Sequence, residues 1–159
     1  DSLSVMEKGD ATASVVANDP LSGVIRIEVD NVSALDLNGR YTPEHEVEGV
    51  PWRVNVCKYP SGHLGVFLGH CNNASNIWSI DVSATVSLFK NDGKANPLIK
   101  KINKTFNHGT PENWGYSKFI LWEELIDKNK DSVKDDKLTI EVRFTLSNII
   151  GFRMIPRVD

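Results

Sequence analysis

Cysteine is scarce in this chain. Two residues, Cys57 and Cys71, among 159 are too few for the disulfide framework of a small secreted scaffold. Both lie in strand-like apolar surroundings, so they read as free thiols and small core residues, which implies a reducing compartment, cytoplasm and/or nucleus. No apolar run approaches the roughly 20 residues that a bilayer-spanning helix needs, so no membrane partner is expected. A strong charge of either sign is missing too. With 18 Lys and Arg against 21 Asp and Glu, the net charge of −3 lacks the basic footprint of a nucleic-acid binder. The four histidines, His45, His63, His70 and His108, form no i, i+4 ligand pair. There is no G-x-S-x-G elbow, no glycine-rich phosphate loop and no C-x-x-C. His70 and Cys71 are neighbours, and neighbours on a strand point to opposite faces, so they make no catalytic pair. No catalytic residue, metal or cofactor is assigned.

One segment imitates a metal site. Asp127, Asn129 and Asp131 stand at positions 1, 3 and 5 of a calcium-loop pattern. Position 6 is Ser132, where the turn needs glycine, and position 12 is Leu138, where a bidentate Glu belongs. A solvated charged loop leading into a strand is the better reading.

What the chain has in abundance is period-2 alternation. Trp78, Ile80, Val82, Ala84, Val86 and Leu88 face one way in "WSIDVSATVSL", and Ser79, Asp81, Ser83, Thr85 and Ser87 face the other. "VIRIEV" (24–29), "PWRVNVCK" (51–58), "LGVFLGH" (64–70) and "KLTIEVRFTL" (137–146) behave alike, and "IIGFRMI" (149–155) is a candidate last strand. "LIKKINKTF" (98–106) reads as an edge strand protected by Lys100, Lys101 and Lys104. Turn chemistry separates the runs at 59–63, 72–76 and 91–94. The one helix candidate is "FILWEELID" (119–127), about two turns, capped by Ser117. The pattern predicts an all-β antiparallel sandwich of seven to eight strands with one short helix, occupying 23–159 behind a flexible lead-in at 1–22. The opening on Asp1 reads as a piece excised from a longer protein.

Two features suggest an exposed aromatic surface. Phe67 lies between Gly65 and Gly69 on the face opposite Leu64, Val66 and Leu68, which predicts a ring platform open to an extended peptide. Trp114 is bracketed by Asn113 and Gly115 at the head of "NWGYSKFILW", which suggests an exposed ring, and Phe119 to Trp122 read as a plug. Trp52 and Trp78 head apolar faces and read as core.

"GVPWRVNV", "LGVFLGHCNNASNIWSIDVSATVSL", "ENWGYSKFILWEEL" and "DDKLTIEV" together resemble the MATH (meprin and TRAF homology) domain, over about Val24 to Leu146. Within that family they are most similar to TRAF-like domains joined to ubiquitin-specific protease or BTB domains. The resemblance implies a non-enzymatic peptide-binding module that recruits clients to ubiquitin conjugation or deubiquitination machinery. It implies a groove made by Phe67, Lys104, Phe106, Asn113, Trp114, Gly115 and Tyr116, taking short extended motifs that often contain serine. With such a groove, Lys90, Lys94, Lys100, Lys101 and Lys104 would favour acidic or phosphorylated motifs. Asn113 departs from the acid of several members, and Lys104 stands where adaptor members carry Tyr. The alternative is a structural or oligomerisation domain. TRAF-type trimers need a preceding coiled coil, and residues 1–23 show no apolar heptad, so the isolated domain is expected to be a monomer.

Overall fold

The computed structural model describes residues 3–4, 12–16, 21–71, 77–93 and 95–151, with side chains from residue 21 onward. Among them are eleven strands and a four-residue helix: β1 (Leu3–Ser4), β2 (Thr12–Val16), β3 (Ser22–Val29), β4 (Arg40–Tyr41), β5 (His45–Val47), β6 (Val50–Tyr59), β7 (His63–His70), β8 (Ser79–Leu88), β9 (Leu98–Asn107), β10 (Asn113–Leu121), α1 (Trp122–Leu125) and β11 (Leu138–Ile150). The first sheet runs β1-β2-β3-β11-β8-β9, the second β10-β7-β6-β4, with β5 on β6, and every pairing is antiparallel.

The alternation in the sequence becomes the core. Ile80, Val82, Ala84, Val86 and Leu88 of β8 are buried, while the polar partners between them are half-buried or exposed. They pack with Ile140, Val142, Phe144 and Leu146 of β11 against Trp52, Val54 and Val56 of β6 and Leu64, Val66 and Leu68 of β7. Each fully buried aliphatic side chain of this kind contributes about 1.5–3 kcal/mol. Trp52 is completely buried and lies edge-on to Phe106 at 5.5 Å between ring centroids. The turn between β6 and β7 closes with Gly62 N–H donating to Tyr59 O, at a φ of 89° that favours glycine.

The strand count exceeds the expectation because short or polar strands escape a periodicity reading. Thr12–Val16, inside the expected lead-in, pairs with Val24–Glu28 and extends the first sheet. The last apolar run does not start a separate strand: Ile149 and Ile150 continue β11, and residues 152–155 lie outside the described residues, as does the turn at 72–76. The expected helix over 119–127 shrinks to Trp122–Leu125, and Ser117 is no cap but an exposed strand residue. The reason is tertiary pairing: Ile120 and Leu121 sit opposite Leu64 and His63, and Trp122 N–H donates to Gly62 O at 2.8 Å. The register slips between Tyr116 and Ile120, and Phe119 turns into the core. Phe119 and Leu125 form the expected plug, whereas Trp122 is half-buried with Lys58 Nζ 4.4 Å from its ring centroid.

The loop that imitates a calcium site is bonded to itself and to the segment after β8. Asp131 accepts from Asp92 N–H at 2.7 Å and Asp127 from Asn129 N–H at 2.9 Å, while Lys90 donates to Ser132. Leu138 is buried at the head of β11.

Candidate peptide-binding edge

β9 ends the first sheet and β10 ends the second, and the two meet at one open side of the sandwich. Lys104 Nζ lies 3.8 Å from the Trp114 ring centroid, and Lys100 Nζ lies 5.2 Å from both the Tyr116 and Phe119 centroids. The Tyr116 hydroxyl donates to Lys101 O, tying the two edges together.

The register decides where each β10 side chain goes. Trp114 and Tyr116 stand opposite Leu68 and Val66, so they share the inner face; Asn113 and Gly115 stand opposite Gly69 and Phe67 and share the outer face. Trp114 is on the inner face yet 43% exposed, because no further strand of its sheet covers it. The backbone follows the same register. His70 N–H donates to Glu112 O at 2.9 Å, making that pair a hydrogen-bonded one. Hydrogen-bonded and non-bonded pairs alternate along an antiparallel ladder, so Asn113 and Gly115 point their N–H and C=O groups away from β7, toward the open side. An extended segment can bond there as an added strand.

Gly115 serves the contact between two strands. A Cβ there would collide with the Val66 carbonyl oxygen and come within 2.8 Å of Phe67 Cα. The missing side chain lets β10 approach β7.

Phe67 does face outward and is half-buried. Its flanks are covered, however. The Tyr59 ring lies over Gly65 and edge-on to Phe67 at 6.3 Å, and Asn113 packs beside Gly69. Across the outer face a small concavity is lined by Tyr41, Arg53, Asn55, Phe67, Gly69 and Asn113, with the Arg53 guanidinium 4.5 Å from the Tyr41 ring centroid. The outward positions of β6 carry the signal for this concavity, in the polar residues of "PWRVNVCK". Beneath Tyr59, Cys57 is buried on the same face, and burial raises its thiol pKa above the ordinary value. The Tyr59 phenol is raised by its own burial and then by Cys57.

Phe106, a groove residue by resemblance, is instead fully buried between the edges of Trp52 and His70, because its β9 register places it opposite the core residue Ile80. His70 belongs to this aromatic cluster too, with Trp78 edge-on at 4.9 Å. Its burial lowers its pKa below 6.5, and the charge of Glu112 opposes the shift. The sequence expectations thus divide: Lys104, Asn113, Trp114, Gly115 and Tyr116 gather at the open edge, Phe67 lies on the adjoining outer face, and Phe106 belongs to neither. Lys100, expected as edge protection or as an attractor of acidic or phosphorylated peptides, covers the rings of the same site.

A two-layer antiparallel sandwich with an aromatic, lysine-covered open edge defines a protein-interaction module. The family to which this chain belongs is that of the MATH domain, whose family model matches residues 29–146. The chain is 24% identical over 145 residues to BTB and MATH domain-containing protein 38 of Caenorhabditis elegans, covering 86% of this chain and 36% of that protein. It is 34% identical over 116 residues to ubiquitin carboxyl-terminal hydrolase 7 of Drosophila melanogaster, covering 72% of this chain and 10% of that protein. It thus spans well under two thirds of either relative. Among solved structures, TRAF5 of Notothenia coriiceps shares the fold with a TM-score of 0.55 at 14% identity, over 81% of this chain and 74% of that one.

Proposed function

We propose that this MATH domain is the peptide-recognition module by which a larger protein of the ubiquitin system holds its clients, for conjugation or deubiquitination, in the cytoplasm or nucleus. The client segment is short and extended, and it adds as a strand to β10 with alternate side chains against Trp114 and Tyr116. The observation that carries this reading is the edge itself: the outward backbone groups of Asn113 and Gly115 lie beside a 43% exposed tryptophan. Asn113 presents an amide where a serine hydroxyl of the client can donate, without the charge assistance of a carboxylate. Single-site affinity is about micromolar or weaker, as expected for a short added strand, and tighter capture comes from multivalency of the parent. The chemistry belongs to the parent or its partners, and the isolated domain is a monomer.

The test is a pull-down or peptide-array screen comparing the wild type with Trp114→Ala and Phe67→Ala. Loss of partners in folded Trp114→Ala supports the edge. If both variants fold and keep every partner, the site lies elsewhere.

A further inference from the structure

The two strands that frame the open edge carry an unusual charge balance. β9 (Leu98–Asn107) holds Lys100, Lys101 and Lys104, β10 (Asn113–Leu121) holds Lys118, and neither contains an Asp or Glu, although the whole chain carries a net −3. Among the described residues no carboxylate lies within salt-bridge distance of any of the four. Lys100 and Lys104 alternate with the core positions Ile102 and Phe106 on the inner side of β9, where their ammoniums rest on rings of β10.

We infer that Lys104 and Lys100 select a client strand bearing carboxylates at two alternate positions, i and i+2. This rests on the reading that clients add to β10. Residues of an added strand face the inner side every second position, about 7 Å apart, which is the spacing of Trp114 and Tyr116 along β10. Each of those rings lies beneath one lysine. An ammonium that presents one side to a ring keeps N–H donors for a carboxylate on the other. The pairing suits Asp or Glu better than phosphate. A phosphate dianion is held best by converging donors or the guanidinium fork, and here single ammoniums are spread along the strand. The intervening residue of the client falls on the outer side, beside Asn113 and Gly115, so the acids and a small polar residue do not compete for the same place.

The test uses a short Thr/Val-rich peptide with Glu at two positions spaced i, i+2, and its Gln twin, by fluorescence anisotropy with parallel amide NMR spectra. The Glu peptide is expected to bind about five- to tenfold tighter at low salt, as two part-exposed ion pairs allow. That advantage disappears in Lys100→Gln/Lys104→Gln, whose affinities for the two peptides become equal. Lys104→Glu reverses the preference at one position toward a Lys-bearing peptide. Equal binding of the twins, with Asn113 and Gly115 amides shifting in both, overturns the acid selection and leaves the edge reading standing. If neither peptide shifts those amides, the edge reading falls and the selection with it. A phosphoserine version binding more than about tenfold tighter than the Glu peptide overturns the choice of carboxylate.

Discussion

Lys104 and Trp114, ten residues apart in sequence and on edge strands of different sheets, meet with the ammonium 3.8 Å from the ring centroid. The contact closes the open side of the sandwich with a flexible, charged side chain rather than an aliphatic one. A cation over a partly exposed indole is worth about 0.5–1 kcal/mol, so the cover is easily displaced. Lys104→Gln should therefore lower stability by no more than about 1 kcal/mol in urea unfolding. A loss several times larger would show that the lysine is a structural strut.

Trp114 and Phe106 separate surface from core. Trp114→Ala should cost under about 1.5 kcal/mol, because nearly half of the residue is already in water, whereas Phe106→Ala should cost about 3–5 kcal/mol. Equal losses in denaturant titrations would mean that Trp114 is packed as a core residue and is unavailable to a ligand.

Gly115→Ala should destabilise by about 1–3 kcal/mol, since the new methyl meets backbone atoms of Val66 and Phe67 that cannot rotate aside. Amide exchange along β10 should accelerate before the rest of the second sheet is affected. A variant as stable as the wild type would contradict the close approach of these strands.

His70 makes stability depend on pH. Burial lowers its folded pKa below 6.5, the neutral ring being the form that the aromatic cluster holds. The unfolded chain takes up the proton first, so stability is complete above about pH 6.5 and declines as pH falls through the lower folded pKa. Unfolding midpoints should drop from about pH 7.5 to about pH 5.5, and His70→Phe should reduce that drop. His45, also lowered by burial, contributes a remainder of the same sign. An unchanged pH slope in His70→Phe would rule out this assignment.

The two thiols should differ in reactivity. Both are free, Cys57 buried and Cys71 half-buried, and burial raises the pKa of each. A thiol reagent at neutral pH should modify Cys71 slowly and Cys57 only after unfolding, since the thiolate is the reacting species. Prior or equal labelling of Cys57 in the native state would place Tyr59 elsewhere.

Much of the fold is legible because one dry face imposes a period of two. In β8 the choice between Val and Ser at each position already states which side meets the core. Strands that bury little give no such signal: Arg40–Tyr41 is two residues long, and β10 is half-exposed along most of its length. "FILWEELID" suits a helix by local preference, and only the pairing of Ile120 and Leu121 with β7 holds its first turn extended. The aromatic cluster around Asn113–Tyr116 stands out in the sequence as a candidate site, but composition does not distinguish Phe106 from a groove ring.

The amino-acid order alone determined the alternating faces, the sandwich class, the buried Trp52 and Trp78, and the resemblance that marks Asn113–Tyr116 as a candidate segment. Tertiary structure alone decided which strands are edges, and therefore which backbone groups are unpaired. It also decided that Gly115 serves strand contact and that Phe106 turns inward while Lys104 reaches across to Trp114. These are relations between β7, β9 and β10, distant in sequence, and a local pattern carries no information about which ladder ends where.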